Sequence, residues 1–476
     1  MSKTLPEEFI QLVQKSLPNE ENFTKFIEYC QRPLRKSIRV NTLKISVSDF
    51  VRRMSAKGWE LTSIPWCPEG FWLQRDDETL PLGNTLEHIG GLFYIQEASS
   101  MLPVTALFTH LKENSDLLIL DAAAAPGSKT TQIAAHLQQQ GAIVANEFSA
   151  SRIKGLFSNL QRCGIANVAL TNYNADVFGK WLPETFDGIL LDAPCSGEGT
   201  LRKDPQALDN WSLKHVQEIA TLQGTLLNSA LRALKPGGIL IYSTCTLNNF
   251  ENQQAVLNIC NHFHQSLEVL NLKTLFPSAD KALTKEGYLH IWPHLYDCEG
   301  FFVAALRKKT EIPIEPCVKK VKPLPFYPAT KKQADSVLQH LRKQFGLELE
   351  PSYGKLMTRE NEFWLFPQKI ISMTDEIRFD RIGLKLAVQF RKEFRLTHEA
   401  ASRFAPQMTQ NILELPIDQA EAFIQGKDIK YDQGEQKNGE VILVCQQVTL
   451  GIGKWLKGKI KNRLPRELVR DVIEFK

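Results

Sequence analysis

Between residues 117 and 308 the chain alternates short apolar runs with longer segments in which apolar residues recur every three or four positions. The short runs, bounded by turn residues, are typical of buried strands, and the longer spacing is typical of helices. The predicted strands are 117–121, 141–147, 167–172, 186–192, 238–245 and 300–308, and the predicted helices are 128–140, 149–164, 212–235 and 250–264. This alternation predicts an α/β fold with a mostly parallel sheet covered by helices on both faces.

Residues near the helix ends support these boundaries. Ser128 and Ser212 are each expected to cap the start of a helix, because a serine hydroxyl can accept a hydrogen bond from a free backbone N–H. Gly164 is expected to close the helix that begins near residue 149. The Pro-Gly-Gly stretch at 236–238 is expected to stop the helix that begins at Ser212.

At 476 residues the chain is too long for one core. We expect an N-terminal region at 1–105 and an α/β domain at 106–308. A Pro- and Lys-rich linker is expected at 309–328. Beyond it, 329–385 and 386–476 are expected to form small mixed α/β modules.

The net charge of +4 is divided unevenly. Residues 1–300 carry 26 basic and 31 acidic side chains, and residues 301–476 carry 31 basic and 22 acidic ones. The basic C-terminal part favours a polyanionic partner, although a solvated charged face would have the same composition. No apolar run approaches the roughly 18 residues of a membrane span and the first residues do not resemble a signal peptide, so we expect a cytoplasmic protein with no membrane partner.

Four polar residues each follow an apolar run within the predicted sheet: Asp121, Glu147, Asp192 and Cys245. In a parallel sheet the carboxyl ends of the strands lie at one edge, where ligands bind. One such residue could be an incidental strand end. Four at corresponding positions predict a functional site.

The first of these strands ends in DAAAAPGSKTTQ (121–132). This turn lacks the glycines of a Walker loop and has only Gly127 of the three glycines of a dinucleotide-binding fingerprint. Its small side chains would let a ligand approach the backbone, and the following helix N-terminus favours a carboxylate. Because Glu147 could accept hydrogen bonds from two ribose hydroxyls, the pattern fits an amino-acid nucleoside such as S-adenosylmethionine.

The nine cysteines form no CxxC pair, which argues against a zinc site and against a disulfide framework. Two of them, Cys195 in DAPCSG and Cys245 in STCT, follow strands that could be neighbours. Two thiols beside a methyl donor suggest methylation of a pyrimidine at carbon 5, which becomes nucleophilic once a thiolate adds at carbon 6. Two buried structural thiols or a regulatory disulfide are the alternatives.

The ordered motifs resemble those of the Fmu/Sun family of RNA cytosine-5 methyltransferases over about residues 1–308. The matching stretches are RVNTLK (39–44), FYIQEASSMLP (93–103), LDAAAAPGSKTTQ (120–132), ANE (145–147), LLDAPCSGEGTLRKDP (190–205), LKPGGILIYSTCTLNNFENQ (234–253) and GFFVA (300–304). The C-terminal extension, including GIGKWLKGKIKNRLPREL (451–468), resembles the PUA-like RNA-binding tail of one bacterial subfamily. The resemblance therefore implies a Rossmann-like, S-adenosylmethionine-dependent methyltransferase sheet with an N-terminal RNA-binding region and C-terminal PUA-like modules.

The resemblance also implies roles for individual residues. Glu147 would bind the ribose of the cofactor, and Asp192 would lie between the cofactor and the target cytosine. Cys245 would be the nucleophile, and Cys195 would assist the elimination that frees the enzyme. The methionine part of the cofactor would lie along the turn formed by Ala123, Ala124, Ala125, Pro126, Gly127, Ser128 and Lys129.

Two positions depart from the family pattern. Where an Asp usually contacts the adenine, this chain has Asn174, whose side-chain oxygen can still accept a hydrogen bond from an amine; Asp176, two residues later, is the alternative. Where the family often has an Arg before Trp-Pro-His, this chain has His290, and the role of that position stays open.

The subfamily that the tail resembles implies a substrate, one cytosine in the decoding region of 16S rRNA, either naked or within the 30S subunit. A base in a duplex cannot present its carbon 6 to a thiol, so the target must be single-stranded or flipped out. We expect a monomer. The competing hypotheses are an RNA-binding ribosome-assembly factor with a non-catalytic methyltransferase domain, and a methyltransferase that acts on an exocyclic amine, which would need no thiol.

Overall fold

The computed structural model describes residues 5–17, 20–112, 116–204, 206–313, 317, 321–391, 393–431 and 439–475. In the N-terminal part, two helices precede an antiparallel sheet with the strand order β2-β3-β1-β4. The bounds are α1 (Glu7–Ser16), α2 (Glu20–Cys30), β1 (Ser37–Val40), α3 (Val47–Ser55), β2 (Trp59–Ile64), β3 (Cys67–Arg75), α4 (Leu86–Ile89), β4 (Phe93–Ile95) and α5 (Leu102–His110). Phe9 and Phe26 of the first two helices share a buried cluster with Leu247, so this helical pair packs against the loop that follows Cys245.

Residues 118–308 form the central α/β layer. Its elements are β5 (Leu118–Asp121), α6 (Ser128–His136), β6 (Ala142–Asn146), α7 (Ala150–Cys163), β7 (Val168–Thr171), α8 (Phe178–Trp181), β8 (Phe186–Asp192), α9 (Leu213–Ala233), β9 (Leu234–Thr244), α10 (Gln253–His262), β10 (Leu267–Leu270), β11 (Leu289–Ile291), α11 (Pro293–Tyr296) and β12 (Phe301–Lys308). The strand order is β10-β12-β9-β8-β5-β6-β7. The run from β9 to β7 is parallel, whereas β10, β11 and β12 pair antiparallel. The mostly parallel, helix-covered sheet predicted from the sequence is therefore present.

Two smaller sheets follow, in the orders β13-β14-β15-β17-β18 and β19-β21-β22-β23-β20. The elements, in chain order, are β13 (Tyr327–Pro328), α12 (Lys331–Phe345), β14 (Lys355–Arg359), β15 (Glu362–Phe366), α13 (Gln368–Ile371), β16 (Arg381–Ile382), β17 (Leu384–Phe390), β18 (Glu393–Leu396), α14 (His398–Phe404), β19 (Ile412–Glu414), α15 (Ile417–Ile424), β20 (Ile429–Lys430), β21 (Gly439–Cys445), β22 (Val448–Leu456) and β23 (Lys459–Asn462). Strand β16 pairs antiparallel with β7 and so extends the central sheet at its edge. The C-terminal part is thus joined to the central layer by backbone hydrogen bonds.

The local predictions are partly confirmed. Ser212 accepts a hydrogen bond from the backbone N–H of His215 at the start of α9, and Gly164 ends α7 with a φ of 72°. The expectation for Ser128 was wrong: Gly127, with a φ of 104°, is the N-cap residue of α6, and Ser128 is its first helical residue. Helix α6 also ends at His136 rather than near 140, because Gln138 and Gln139 adopt positive φ angles that a helix cannot contain.

Part of the predicted linker, residues 314–316 and 318–320, lies outside the described residues. The proposed domain boundaries stay predictions. In the described part of the chain, no helix combines the length and the apolar character that crossing a membrane requires.

Candidate active site

Four of the sequence-predicted polar residues lie along one edge of the central sheet. Asp121 and Asp192 are the last residues of β5 and β8, and Glu147 and Cys245 directly follow β6 and β9. Because β9, β8, β5 and β6 are consecutive neighbours, the four side chains belong to four adjacent strand ends. The structure therefore brings together the residues that the strand pattern singled out.

The small-residue turn between β5 and α6 lies close against β6 and α7. The Ala124 N–H donates to the carbonyl of Asn146 (2.7 Å), and the Gly127 N–H donates to the carbonyl of Ala124 (2.7 Å). Gly127 suits this turn because its positive φ of 104° is strained for other residues. A Cβ there would also lie 2.9 Å from the end of the Leu156 side chain, which would have to shift. The turn leads directly into the N-terminus of α6, whose first backbone N–H groups have no partner within the helix.

Glu147 is 3% exposed and lies across this turn. Its carboxylate accepts hydrogen bonds from the backbone N–H of Ala125 (3.3 Å) and of Ser149 (2.9 Å), and Arg152 lies 3.5 Å from it. The next residue, Phe148, is 75% exposed, which is unusual for a large aromatic side chain. Sequence reasoning missed Phe148, although an apolar ring directly after an acidic strand end was a signal that could have found it.

Asp121 is fully buried at the base of the same turn. Its Oδ2 accepts a hydrogen bond from the Thr130 hydroxyl (2.6 Å), whereas Oδ1 has no hydrogen-bond partner in the structure. Burial raises the pKa of this carboxyl to about 7. Asp121 is therefore a carboxyl group that is partly protonated near neutral pH.

Asp192 is held by two groups from different elements. The Lys129 ammonium donates to Oδ2 (2.6 Å), and the Ser243 hydroxyl donates to Oδ1 (2.7 Å). The Lys129 Nζ also lies 5.6 Å from the centre of the Phe301 ring. Both carboxylate oxygens are thus fixed in direction at the end of β8, and Ser243 is a second residue that sequence reasoning missed.

The two thiols of the site are in contact. Sγ of Cys195 lies 3.3 Å from Sγ of Cys245, and both residues are half-buried. The hydrogen bond to Cys245 and burial raise the pKa of the Cys195 thiol well above its ordinary value. At this distance either sulfur can donate a hydrogen bond to the other.

The two remaining candidates, Asn174 and His290, contact other groups. Asn174 is exposed, and its side-chain oxygen accepts a long hydrogen bond (3.4 Å) from the backbone N–H of Asp176 at the start of a short 3₁₀ helix. His290 is buried on β11, stacks on Trp292, and its Nδ1 lies 3.4 Å from the side-chain nitrogen of Gln253. Burial lowers the pKa of His290 to about 3, so this side chain does not replace the positive charge of an arginine.

Comparisons with known families cover most of the chain. The "16S rRNA methyltransferase RsmB/F" family matches residues 108–307, and the "N-terminal domain of 16S rRNA methyltransferase RsmF" matches 5–98. The "Ribosomal RNA small subunit methyltransferase F, pre-PUA domain" matches 326–403, and the "Methyltransferase RsmF PUA domain" matches 410–470.

Whole-length relatives carry the same name. The chain is 53% identical to the ribosomal RNA small subunit methyltransferase F of Aeromonas salmonicida over 470 residues, covering 98% of both chains. It is 50% identical to the protein of that name from Vibrio cholerae, again covering 98% of both chains. Among solved structures, a methyltransferase homologue from Pyrococcus horikoshii is 34% identical with a TM-score of 0.52, over 64% of this chain and 100% of that one.

Proposed function

Because the chain belongs to the ribosomal RNA small subunit methyltransferase F family and is an rRNA methyltransferase, we propose that it methylates carbon 5 of one cytosine in the decoding region of 16S rRNA, with S-adenosylmethionine as methyl donor. One observation carries the choice of carbon 5. Two thiols lie 3.3 Å apart at the ends of neighbouring strands, with Asp192 on one of those strands. Methylation of an exocyclic amine would leave this pair without a role.

The residues of the site fit the proposed cofactor. The methionine carboxylate would face the N-terminus of α6 along the turn from Ala123 to Lys129, and the ribose hydroxyls would reach Glu147. The exposed ring of Phe148 offers an apolar surface for the adenine, and Asn174 or Asp176 could accept a hydrogen bond from its amine. Asp121, with one unpartnered buried oxygen, adds a group that could face the positively charged end of the ligand.

The proposed reaction proceeds by covalent catalysis. The Cys245 thiolate attacks carbon 6 of the cytosine, forming an S–C6 bond and making carbon 5 nucleophilic. S-adenosylmethionine, when bound, would supply the electrophilic methyl group to carbon 5 and would leave as S-adenosylhomocysteine. Water, acting as the base, would then take the carbon-5 proton, the C5–C6 double bond would re-form, and the electron pair of the S–C6 bond would return to the Cys245 sulfur. Cys195 would assist this release by donating a hydrogen bond to that sulfur.

Asp192 is suited to orient the base between the two sulfurs and the methyl donor. Its carboxylate is fixed by Lys129 and Ser243, so a cytosine contacting it would meet a preorganised group rather than a mobile one. The same ion pair supplies a positive charge near the ring, where electron density develops when the thiolate adds. This arrangement supports attack by Cys245, which directly follows β9. Strand β9 pairs with β8, and Ser243 of β9 lies opposite Asp192 of β8.

The other parts of the chain are proposed to hold the RNA. The N-terminal region and the C-terminal modules would contact phosphates and recognise RNA shape more than sequence. The target base would be flipped out or single-stranded, because carbon 6 must come within bonding distance of Cys245. A monomer would suffice, since all of the proposed catalytic groups come from one chain.

Bisulfite sequencing of 16S rRNA from a strain that lacks this protein tests the proposal directly. We expect one decoding-region cytosine to lose its protection, and plasmid-borne wild-type protein to restore it. Purified protein should also bind S-adenosylmethionine in calorimetry. Unchanged protection in the deletion strain would refute the assignment, and absence of cofactor binding would favour a non-catalytic ribosome-assembly factor.

A further inference from the structure

The two cysteine loops are joined by a network of buried carboxylates that the reaction described above does not use. Glu198 follows Cys195 in the first loop and is 1% exposed, and Glu251 follows Cys245 in the second loop and is 0% exposed. Neither side chain can touch solvent. Their role therefore depends on the protein groups that donate hydrogen bonds to them.

Each carboxylate accepts hydrogen bonds from the other loop. Glu198 accepts from the backbone N–H of Leu247 (3.1 Å) and from the Asn248 side chain (2.9 Å). Glu251 accepts from the backbone N–H of Ser196 (3.0 Å). The Asn248 amide also donates to Glu251 (2.7 Å), so one amide group contacts both carboxylates.

Two long side chains extend this network into the surrounding structure. The Trp211 ring N–H donates to Glu198 (2.5 Å). The Gln223 amide of α9 donates both to Glu251 (2.9 Å) and to the carbonyl of Pro194 (2.9 Å), the residue before Cys195. The backbone N–H of Gly199 meanwhile donates to the carbonyl of Cys245 (2.9 Å).

All of these donors are neutral, in contrast to the Lys129 partner of Asp192. Burying a carboxylate without a cation is costly, but a glutamine of the same size would present an amide donor to partners that are themselves donors. The pKa of the Cys195 thiol is raised by its hydrogen bond to Cys245, by burial and by the charge of Glu251, whose own pKa is raised by burial.

We propose that Glu198 and Glu251 are positioning residues for the two-cysteine reaction: their reciprocal contacts hold the two loops so that the sulfur of Cys195 stays next to that of Cys245. This inference rests on the proposed function, because only a reaction that uses both sulfurs needs their separation to be fixed. Neither carboxylate needs to touch the RNA or the cofactor. Both act through the position and protonation of Cys195.

The contact between the sulfurs can be measured without any RNA. Diamide oxidises two neighbouring thiols to a disulfide and itself takes up the two electrons and two protons. The full-length wild-type protein should form the Cys195–Cys245 disulfide rapidly, as detected by peptide mass spectrometry. Glu198→Gln and Glu251→Gln should slow its formation about tenfold, because each introduces an amide donor where the other loop presents donors.

Glu87→Gln is the matched control, since Glu87 is also a buried carboxylate but pairs with Arg53 and Lys57 in the N-terminal part. It should leave the rate of disulfide formation unchanged. If a Gln variant does not fold, Asn248→Ala removes the shared amide while keeping both carboxylates, and it should slow the oxidation in the same way. Wild-type rates in the folded variants would overturn the proposal.

A second readout separates charge from packing. The ionisable groups that act on Cys195 are Cys245, Glu251 and Tyr242. Beyond them, Asp192, which pairs with Lys129, acts on Tyr242, and Glu198 acts on Glu251. In Glu251→Gln the pH midpoint for alkylation of Cys195 should fall, because a negative charge is lost. Glu251→Asp, which keeps the charge but shortens the side chain, should keep the midpoint while still slowing the oxidation. A midpoint unchanged in Glu251→Gln would contradict the charge effect.

Methylation assays complete the test. The Gln variants should lose about tenfold in kcat with little change in KM, and should accumulate a denaturation-resistant protein–RNA adduct because release is slowed. A uniform loss of kcat without adduct would indicate a structural role only. If wild-type protein itself gives neither 5-methylcytosine nor adduct, the proposed function fails, while the oxidation and alkylation results remain independent measurements of the network.

Discussion

Substituting the fully buried Asp121 by asparagine should remove a defined part of the pH dependence of stability. The pKa of Asp121 is raised by burial from 3.8 to about 7, so the folded protein retains a proton that the unfolded chain has already lost. Stability from this group is fully present below pH 3.8 and is lost as pH rises toward 7. The difference between the two pKa values corresponds to about 4 kcal/mol in total, of which about 2 kcal/mol is lost between roughly pH 5.5 and pH 8.5.

Asp121→Asn keeps an acceptor for the Thr130 hydroxyl but cannot ionise. Hydrogen exchange of peptides from β5 and α6, compared between variant and wild type at the same pH, measures the effect because intrinsic exchange rates then cancel. The free energy of opening of the variant, taken relative to the wild type, should rise by about 2 kcal/mol between pH 5.5 and pH 8.5. A difference that is constant with pH, or that favours the wild type at high pH, would refute the reasoning.

Four further substitutions test the proposed roles of site residues. Glu147→Gln should weaken S-adenosylmethionine binding about tenfold in calorimetry, because an amide cannot accept from two hydroxyls while keeping its contact with the Ala125 N–H; unchanged affinity would argue against ribose binding. Asp192→Asn should lower kcat by about 100-fold or more, since it leaves the Lys129 ammonium without its anion, and wild-type kcat would argue against orientation of the base. Asn174→Ala should weaken cofactor binding more than Asp176→Ala, and the reverse order in calorimetry would transfer the adenine contact to Asp176.

The parts of the fold that depend on neighbouring residues were predictable from the sequence. Ser212 caps α9 and Gly164 ends α7 because both effects arise within one turn of chain. The strand β8 was predicted with the bounds that the structure has. The meeting of Asp121, Glu147, Asp192 and Cys245 was also predictable, since a parallel sheet necessarily collects the carboxyl ends of its strands at one edge.

Contacts made across long separations in the chain were not predictable in the same way. The Lys129–Asp192 ion pair joins residues 63 positions apart, and nothing in the turn sequence indicates that Lys129 points toward β8. Strand β16 has only two residues and pairs with β7, so no hydrophobic period could reveal it. The cap of α6 was misassigned because Ser128 has a typical capping side chain, whereas packing against Leu156 and the required positive φ select Gly127 as the residue before the helix.

The most direct measurement compares Cys245→Ala with Cys195→Ala on 16S rRNA in the presence of S-adenosylmethionine, using denaturing gels and bisulfite sequencing. Cys245→Ala should form neither adduct nor 5-methylcytosine, because the attack on carbon 6 is lost. Cys195→Ala, whose nucleophile is intact, should trap a covalent protein–RNA adduct, visible as a band of reduced mobility. Full activity of Cys245→Ala, or an adduct formed by Cys245→Ala and not by Cys195→Ala, would contradict the proposed division of roles between the two sulfurs.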